Sequence, residues 1–506
     1  MGLLSGCALD AWALAAAAAL LALYGIWPYS FFRKLGIPGP RPLPFIGTFF
    51  RYWNGVLEFD QQCYQKYGKI WGFFDGRQPV MAILDLAIIK TLLVKEFYTH
   101  FTNRRDFGLN GDLDTSVVIA KDEQWKRIRT ILSPCFTSGR LKEMFPIFSH
   151  YGKMLAKHVE KKVESGEPID MKDIFGAYSM DVITSTSFSI EVDSINNPND
   201  PFIAHIKKLL KFSILNPMII LIVVFPFLTP LMNKLIFSLV PPTFINFFID
   251  VVKKIKKDRQ KNDHTNRVDF LQLMVDSQIS GDITDKTNSY KALTDKEIVT
   301  QAIVFIFGGY ESSSTTLSFL SYSLALHPDV QQKLHEEVDK VLPNQACPTY
   351  DAILQMEYLD MVVNETLRLY PPGGRLERVC KNTVEINGVT IPEGTVTVIP
   401  TYVLHRSPEY WPEPEEFRPE RFSKENRESM DPYIFMPFGA GPRNCIGMRF
   451  ALLVMKAVVV VLLQNFSFRT CKETVIPMEL NTRGFLKPKT PIMLKLVPRT
   501  TTGPEE

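Results

Sequence analysis

The chain has 506 residues, 46% hydrophobic and 22% charged, with 57 basic against 54 acidic side chains and a formal net charge of +3. That is ordinary composition for a folded globular protein, and so small a basic excess argues against a nucleic-acid partner. The 7 cysteines are odd in number, irregularly spaced and free of any CxxC pair, which excludes a disulfide framework and a zinc ribbon.

The amino terminus differs from the rest. No charge falls between Ala11 and Phe32, and Ala11 to Trp27 is almost continuously apolar. That run sits near the lower end of the ~17–25 residues a membrane helix needs. A cleaved signal peptide is the rival reading, but signal peptides begin with a basic segment, and Asp10 is the only charged side chain ahead of this run. Residues 1–34 therefore read as a retained membrane anchor. Arg33 and Lys34 follow the apolar run, so the positive-inside tendency puts the amino terminus in the lumen and the body in the cytosol. Residues 35–50, with Pro38, Pro40, Pro42 and Pro44, cannot be helical and read as a stiff extended connector.

Residues 51–506 show no internal repeat and no linker that would divide them, so they read as one domain. Helical periodicity dominates, as in Glu123 to Leu132 and Pro328 to Leu342. β-like runs at Val80 to Leu84, Val384 to Ile391 with its Asn387-Gly388 turn, and Thr395 to Ile399 are fewer. The fold class is mainly α with a smaller β portion. Residues 214–249 are greasy, but Pro217, Pro226 and Pro230 interrupt them too often for a spanning helix. They read as a buried connection between helices, or as a lid over an apolar pocket that dips into the membrane surface. Thr294-Asp295-Lys296-Glu297 is a capping box opening a helix that runs to His327-Pro328. Gly308 and Gly309 interrupt that helix at ~1 kcal/mol each relative to alanine, so they need a reason.

The chemistry concentrates between Phe438 and Gly447. Cys445 stands just before the apolar helical run Phe450 to Leu463, where unpaired N–H groups and the helix dipole favour a thiolate. Gly439, Gly441 and Gly447 allow backbone and a large flat ligand to approach closely. A structural cysteine is the plain alternative, since free cysteines are commonly buried.

Phe438, Gly441, Arg443, Cys445 and Gly447 reproduce FxxGxRxCxG, and this segment resembles the haem-binding signature of the cytochrome P-450 family. Glu365-Thr366-Leu367-Arg368 is similar to the family's ExxR motif, and Phe417 to Phe422 to its PERF segment. The likeness extends from the proline connector to Leu496 and is strongest to the vertebrate drug- and steroid-oxidising subfamily 3A. It implies the cytochrome P-450 fold, haem b with Cys445 as axial thiolate, and a charged cluster of Glu365, Arg368 and Arg421. For the haem carboxylates it nominates Trp125, Arg129 and Arg443, with Arg104 and Arg378 from closer relatives. For oxygen activation it nominates Glu311 and Ser312, and it marks two departures: Gly308 stands where alanine is usual, and Ser312 where threonine is usual. For the substrate pocket it nominates Phe212, Ile303, Phe307, Gly308, Gly373, Gly374 and Leu376.

The implied activity is an O2-dependent monooxygenase acting on apolar molecules such as steroids, fatty acids and xenobiotics. The same resemblance implies the endoplasmic reticulum membrane, electrons from an NADPH-dependent flavin reductase, and cytochrome b5 as a second donor. No GxGxxG fingerprint follows a strand, which agrees with an outside electron source. A haem-thiolate isomerase and a non-catalytic haem sensor are the alternatives at this point.

Overall fold

The computed structural model describes residues 2–106, 108–197, 204, 217–235, 242–261, 269–279 and 292–499. Helices make up most of them. At the centre runs Asp295–Leu326, 32 residues long, its start fixed by the capping box: Glu297 N donates to Thr294 Oγ1 at 3.2 Å and Thr294 N to Glu297 Oε2 at 2.9 Å. Its most extensive neighbour is Met171–Phe188, and Ser138–Ser165, Glu357–Leu369 and Met448–Asn465 complete the surrounding bundle.

Met448–Asn465 would be long and apolar enough to span a bilayer, but 72% of it is buried inside the protein. Lys456, the charge that breaks its apolar run, is 7% exposed and donates to Asp360 Oδ1 at 2.6 Å. Burying an ammonium is tolerable only with such a partner.

The β portion is a four-stranded sheet in the spatial order Ile70–Asp75, Gln78–Ile83, Val396–Ile399, Leu376–Val379, with smaller sheets beside it. The middle pair is parallel and the outer pairs antiparallel. The expected hairpin is present as Val384–Ile386 and Val389–Ile391. Asn387 and Gly388 turn it with φ of 51° and 76°, the left-handed pair that a two-residue turn of this hand requires.

The greasy region resolves into short helices that restart at proline: Pro217–Val224, then Pro226–Leu228, then Thr229–Lys234. Proline suits a first turn because its missing N–H would be unbonded there. Ile222 and Met232 pack on Leu109, while Leu221, Phe227, Leu231 and Leu235 stay exposed.

The N-terminal segment begins as a helix, Gly2–Ile26, and Trp12 to Lys34 is long and apolar enough to cross a membrane, with 6% of it buried. Side chains ahead of residue 34 touch the body. Arg77 stacks on the Tyr24 ring at 3.5 Å, and Phe32 is buried against Phe74. Gly72 makes that possible, since a Cβ there would lie 2.2 Å from Phe32 Cγ. The proline connector continues along the same sheet edge, where Gly72 N donates to Pro38 O at 2.8 Å.

Removing residues 1–22 should therefore largely release the protein from membranes with its melting temperature unchanged. Removing residues 1–34 should also cost about 3–5 kcal/mol, as loss of a buried phenylalanine does. Equal melting temperatures for the two truncations would show that the Phe32 contact contributes nothing.

Candidate functional site

Cys445 lies in a loop that glycine shapes. Gly439 and Gly441 have φ of 73° and 74°, where side chains are strained. A Cβ on Gly441 would lie 1.9 Å from the Leu93 carbonyl oxygen, so this glycine serves a backbone contact rather than the approach of a ligand. Cys445 N donates to Phe438 O at 2.8 Å, and Gly447 caps the helix that follows. The thiol faces an interior cavity of about 520 Å³ whose wall also carries Phe438 and Gly447. Burial pushes the thiol's pKa up, against the opposite pull of the Gly447 N–H, Arg129 and Arg104.

Six arginines line the same cavity, with Glu377 among them; Arg105 pairs with Asp75 and Glu377 and Arg375 with Asp60, which leaves Arg104, Arg129, Arg378 and Arg443. Arg129 donates to Asn444 O and Oδ1, both at 2.8 Å, and Arg104 to Arg443 O at 3.3 Å. Arg443 donates to the carbonyls of Thr102, Val118 and Ala120, and Arg378 to Glu377 O. Among the described residues none of the four has a carboxylate partner. Burial and the neighbouring guanidiniums push Arg443 down to about 8 and Arg378 down to about 9. Trp125 Nε1, Arg378 Nε and Arg443 Nε are buried without a hydrogen-bond partner among the described residues.

The central helix supplies Val304, Phe305, Gly308, Gly309, Ser312, Ser313 and Thr316 to the wall. Its tandem glycine divides two tasks. A Cβ on Gly309 would lie 2.8 Å from Ile183 Cδ1, so this position lets the two helices approach. Gly308 has nothing within 4 Å and leaves open space. Ser312 Oγ donates to Gly308 O at 2.5 Å.

Several sequence expectations are corrected. Ile303 is 2% exposed in the core and does not line the cavity, because successive helical residues are turned ~100° and the wall is formed by Val304 and Phe305. For the same reason Glu311 does not share Ser312's face; its carboxylate accepts from Lys172 Nζ at 3.1 Å. Phe307 is one step back, its ring 6.2 Å from that of Phe485, which does line the cavity. Gly373 and Leu376 are on the wall, while Gly374 packs against Leu57. Phe212 lies outside the described residues. No described residue of 217–235 lines the cavity, so the lid expectation finds no support in those residues. Val304 could have been found from the sequence, four residues before Gly308 on one helical face; Phe136, Val118 and Phe485 come from distant segments and carry no local signal.

The Glu365 cluster lies fully buried. Arg368 Nε and Nη2 donate to the two carboxylate oxygens, each at 2.7 Å, and Arg418 N adds a third donor at 2.9 Å. Arg421 Nε stands 3.4 Å from Glu365 Oε1, and the remaining Arg368 donors reach the carbonyls of His405, Pro414 and Glu416. Breaking such a buried pair costs roughly 3–5 kcal/mol. The segment it ties down, 413–421, follows the sheet and leads to the cysteine loop.

A family model described as Cytochrome P450 matches residues 37–496. The chain is similar to cytochrome P450 3A9 of Rattus norvegicus, 59% identical over 483 residues, covering 96% of this chain and 95% of that one. It is similar to cytochrome P450 3A28 of Bos taurus, 57% identical over 500 residues, with 99% and 98% coverage. Cytochrome P450 3A13 of Mus musculus is 57% identical over 508 residues and covered in full, as is this chain.

Gly373 has no atom within 4 Å of an added Cβ, whereas one on Gly374 would meet Leu57 Cδ2 at 2.3 Å. Gly373→Leu should narrow the cavity, weakening large apolar ligands more than small ones in binding titrations and leaving the melting temperature near wild type. Gly374→Leu should instead destabilise the protein by about 1–3 kcal/mol through overpacking. Equal loss across ligand sizes for Gly373→Leu would deny it a place on the wall.

Proposed function

The chain belongs to the cytochrome P450 family and is a haem-thiolate monooxygenase, and from that premise we propose that Cys445 carries the haem and that the substrates are steroids, fatty acids and xenobiotics. The observation that carries the assignment is a cysteine thiol on a cavity ringed by four arginines without carboxylate partners. A porphyrin with two carboxylates fits that set, and the unpartnered Trp125 Nε1, Arg378 Nε and Arg443 Nε are donors such carboxylates would satisfy. Arginine suits the task because its planar fork holds carboxylates bidentately and stays charged. Arg104, Arg129, Arg378, Arg443 and Trp125 would hold the propionates, and Phe438 would pack beside the thiolate. When bound, the haem activates O2 with electrons from a separate reductase, so that one oxygen atom enters the substrate and the other leaves as water.

The chain's own residues shape what reaches that centre. Val304, Phe305, Ile183 and Leu376 make the wall largely apolar, a lining that selects by area and shape. Ser312 brings a hydroxyl to the wall, where it would organise water and pass protons once turned from Gly308 O. Glu311, on the adjoining face, would supply them. Cytochrome b5 would serve as a second electron donor. The anchor would hold the enzyme in the endoplasmic reticulum membrane with its catalytic domain in the cytosol. Phe227, exposed and 6.1 Å from the Tyr24 ring, would extend the lipid contact.

Cys445→His should abolish the strongly red-shifted carbon monoxide band of the reduced protein and NADPH-dependent turnover of a steroid with reductase. Survival of that band would refute the ligand assignment.

Ser312→Ala should bind haem and substrate as before and keep oxidising NADPH, with more of it ending as hydrogen peroxide. Product formed per NADPH consumed measures this. An unchanged ratio would remove Ser312 from the catalytic set and point to Ser313, whose buried hydroxyl has no partner among the described residues and also lines the cavity.

A further inference from the structure

Five hydroxyl residues follow one another on the central helix, Ser312, Ser313, Ser314, Thr315 and Thr316, and they divide between its two sides. Ser312, Ser313 and Thr316 face the haem cavity. Ser314 and Thr315 face away from it, toward a lysine from the neighbouring helix. Lys172 Nζ donates to Ser314 Oγ and Thr315 Oγ1, both at 2.7 Å, to Glu311 Oε2 at 3.1 Å and to Glu311 O at 3.3 Å. The ammonium thus engages three side chains and a main-chain carbonyl within one helical turn.

Lys172 is itself held. It sits in the first turn of Met171–Phe188, where its backbone N–H donates to the Asp170 cap at 2.8 Å. Burial pulls its ammonium below the ordinary lysine value while Glu311 opposes that shift. The side chain is 29% exposed, and the bonds its ammonium makes are to the turn that carries Ser312 and Ser313. That turn follows Gly308 and Gly309, the weakest point of the helix by intrinsic preference.

We propose that Lys172 is a positioning residue for proton supply: it clamps the 311–315 turn and orients the Glu311 carboxylate, so that Ser312 and Ser313 are presented to the haem cavity. This rests on the reading of Glu311 and Ser312 given above. Lys172 touches neither haem nor substrate, and it acts through the turn it grips.

The test uses full-length holoenzyme with reductase. In Lys172→Met, amide hydrogen exchange across residues 308–316 should quicken about tenfold, the equivalent of losing one charge-assisted hydrogen bond. Substrate binding and the carbon monoxide band should be unchanged, while product per NADPH falls. Lys172→Arg should restore both the slow exchange and most of the ratio. In a Glu311→Gln background, Lys172→Met should lower the ratio little further, because the two residues act in one unit. Unchanged exchange in Lys172→Met, or independent multiplication of the two losses, overturns the proposal. If Ser312→Ala and Glu311→Gln leave the ratio untouched, the proton reading itself fails and the positioning role falls with it. If they lower the ratio and Lys172→Met does not, the Lys172 proposal alone fails.

Discussion

Removing a guanidinium from water without a counter-charge is among the costlier things a protein interior can contain, several kcal/mol per ion even after relaxation. Here Arg378 and Arg443 are buried and Arg104 and Arg129 half-buried around one cavity, none of them in a salt bridge among the described residues, with Glu377 and Asp122 the acids nearest in effect. Backbone carbonyls relieve part of the cost, those of Thr102, Val118 and Ala120 for Arg443 and that of Asn444 for Arg129. Carbonyl dipoles do not cancel the burial, and behind it the repulsion from neighbouring guanidiniums, that hold Arg443 and Arg378 below the usual guanidinium range. The cavity therefore suits an anionic occupant, and haem carboxylates would offset the positive charge these arginines place there. Binding of that kind is linked to folding: whatever binds the native state alone stabilises it.

The same residue type solves the opposite problem a short distance along the chain. Arg368 is as deeply buried as Arg443, but Glu365 meets it fork to fork and three carbonyls take its remaining donors. That cluster is closed, and what it secures is the path of the chain between the sheet and the cysteine loop. One set of arginines is completed by the protein and the other is left for a ligand. The contrast separates a structural from a binding role without reference to sequence motifs.

The sequence made some of this plain. Local devices were legible: the Thr294–Glu297 capping box, the Asn387-Gly388 turn and the proline restarts at 217, 226 and 230 all depend on neighbours within a few residues. So were motifs whose spacing is fixed by backbone geometry, such as Glu365 and Arg368 one turn apart. What was not legible depended on facing. Glu311 and Ser312 are adjacent in sequence, yet the helix turns one to Lys172 and the other to the cavity. Ile303 fails as a wall residue for the same reason. Gly374 looked like spare room and is instead the floor on which Leu57 packs. The junction of anchor and body was hidden too, because the docking of Phe32 depends on the absent side chain of Gly72, forty residues later.

The two departures from the family's usual residues then acquire a common meaning. Gly308 and Ser312 are four residues apart, hence on one helical face, and each lacks a methyl group that alanine or threonine would place there. No atom lies within 4 Å of an added Cβ at Gly308, and the same holds at Gly373 elsewhere on the wall. At both positions the cavity gains room from an absent side chain. A wider apolar wall gains little from any one ligand's shape and so discriminates weakly among them, since selectivity in such pockets comes from contact area and fit. The hydroxyl is affected as well: serine lacks the methyl that restricts threonine's rotamers, and Ser312 Oγ donates to Gly308 O, a back-bond of the kind Thr316 makes to Ser312 O. Space on the wall and the hydroxyl that would handle protons thus draw on the same helical face, since Gly308 and Ser312 stand one turn apart.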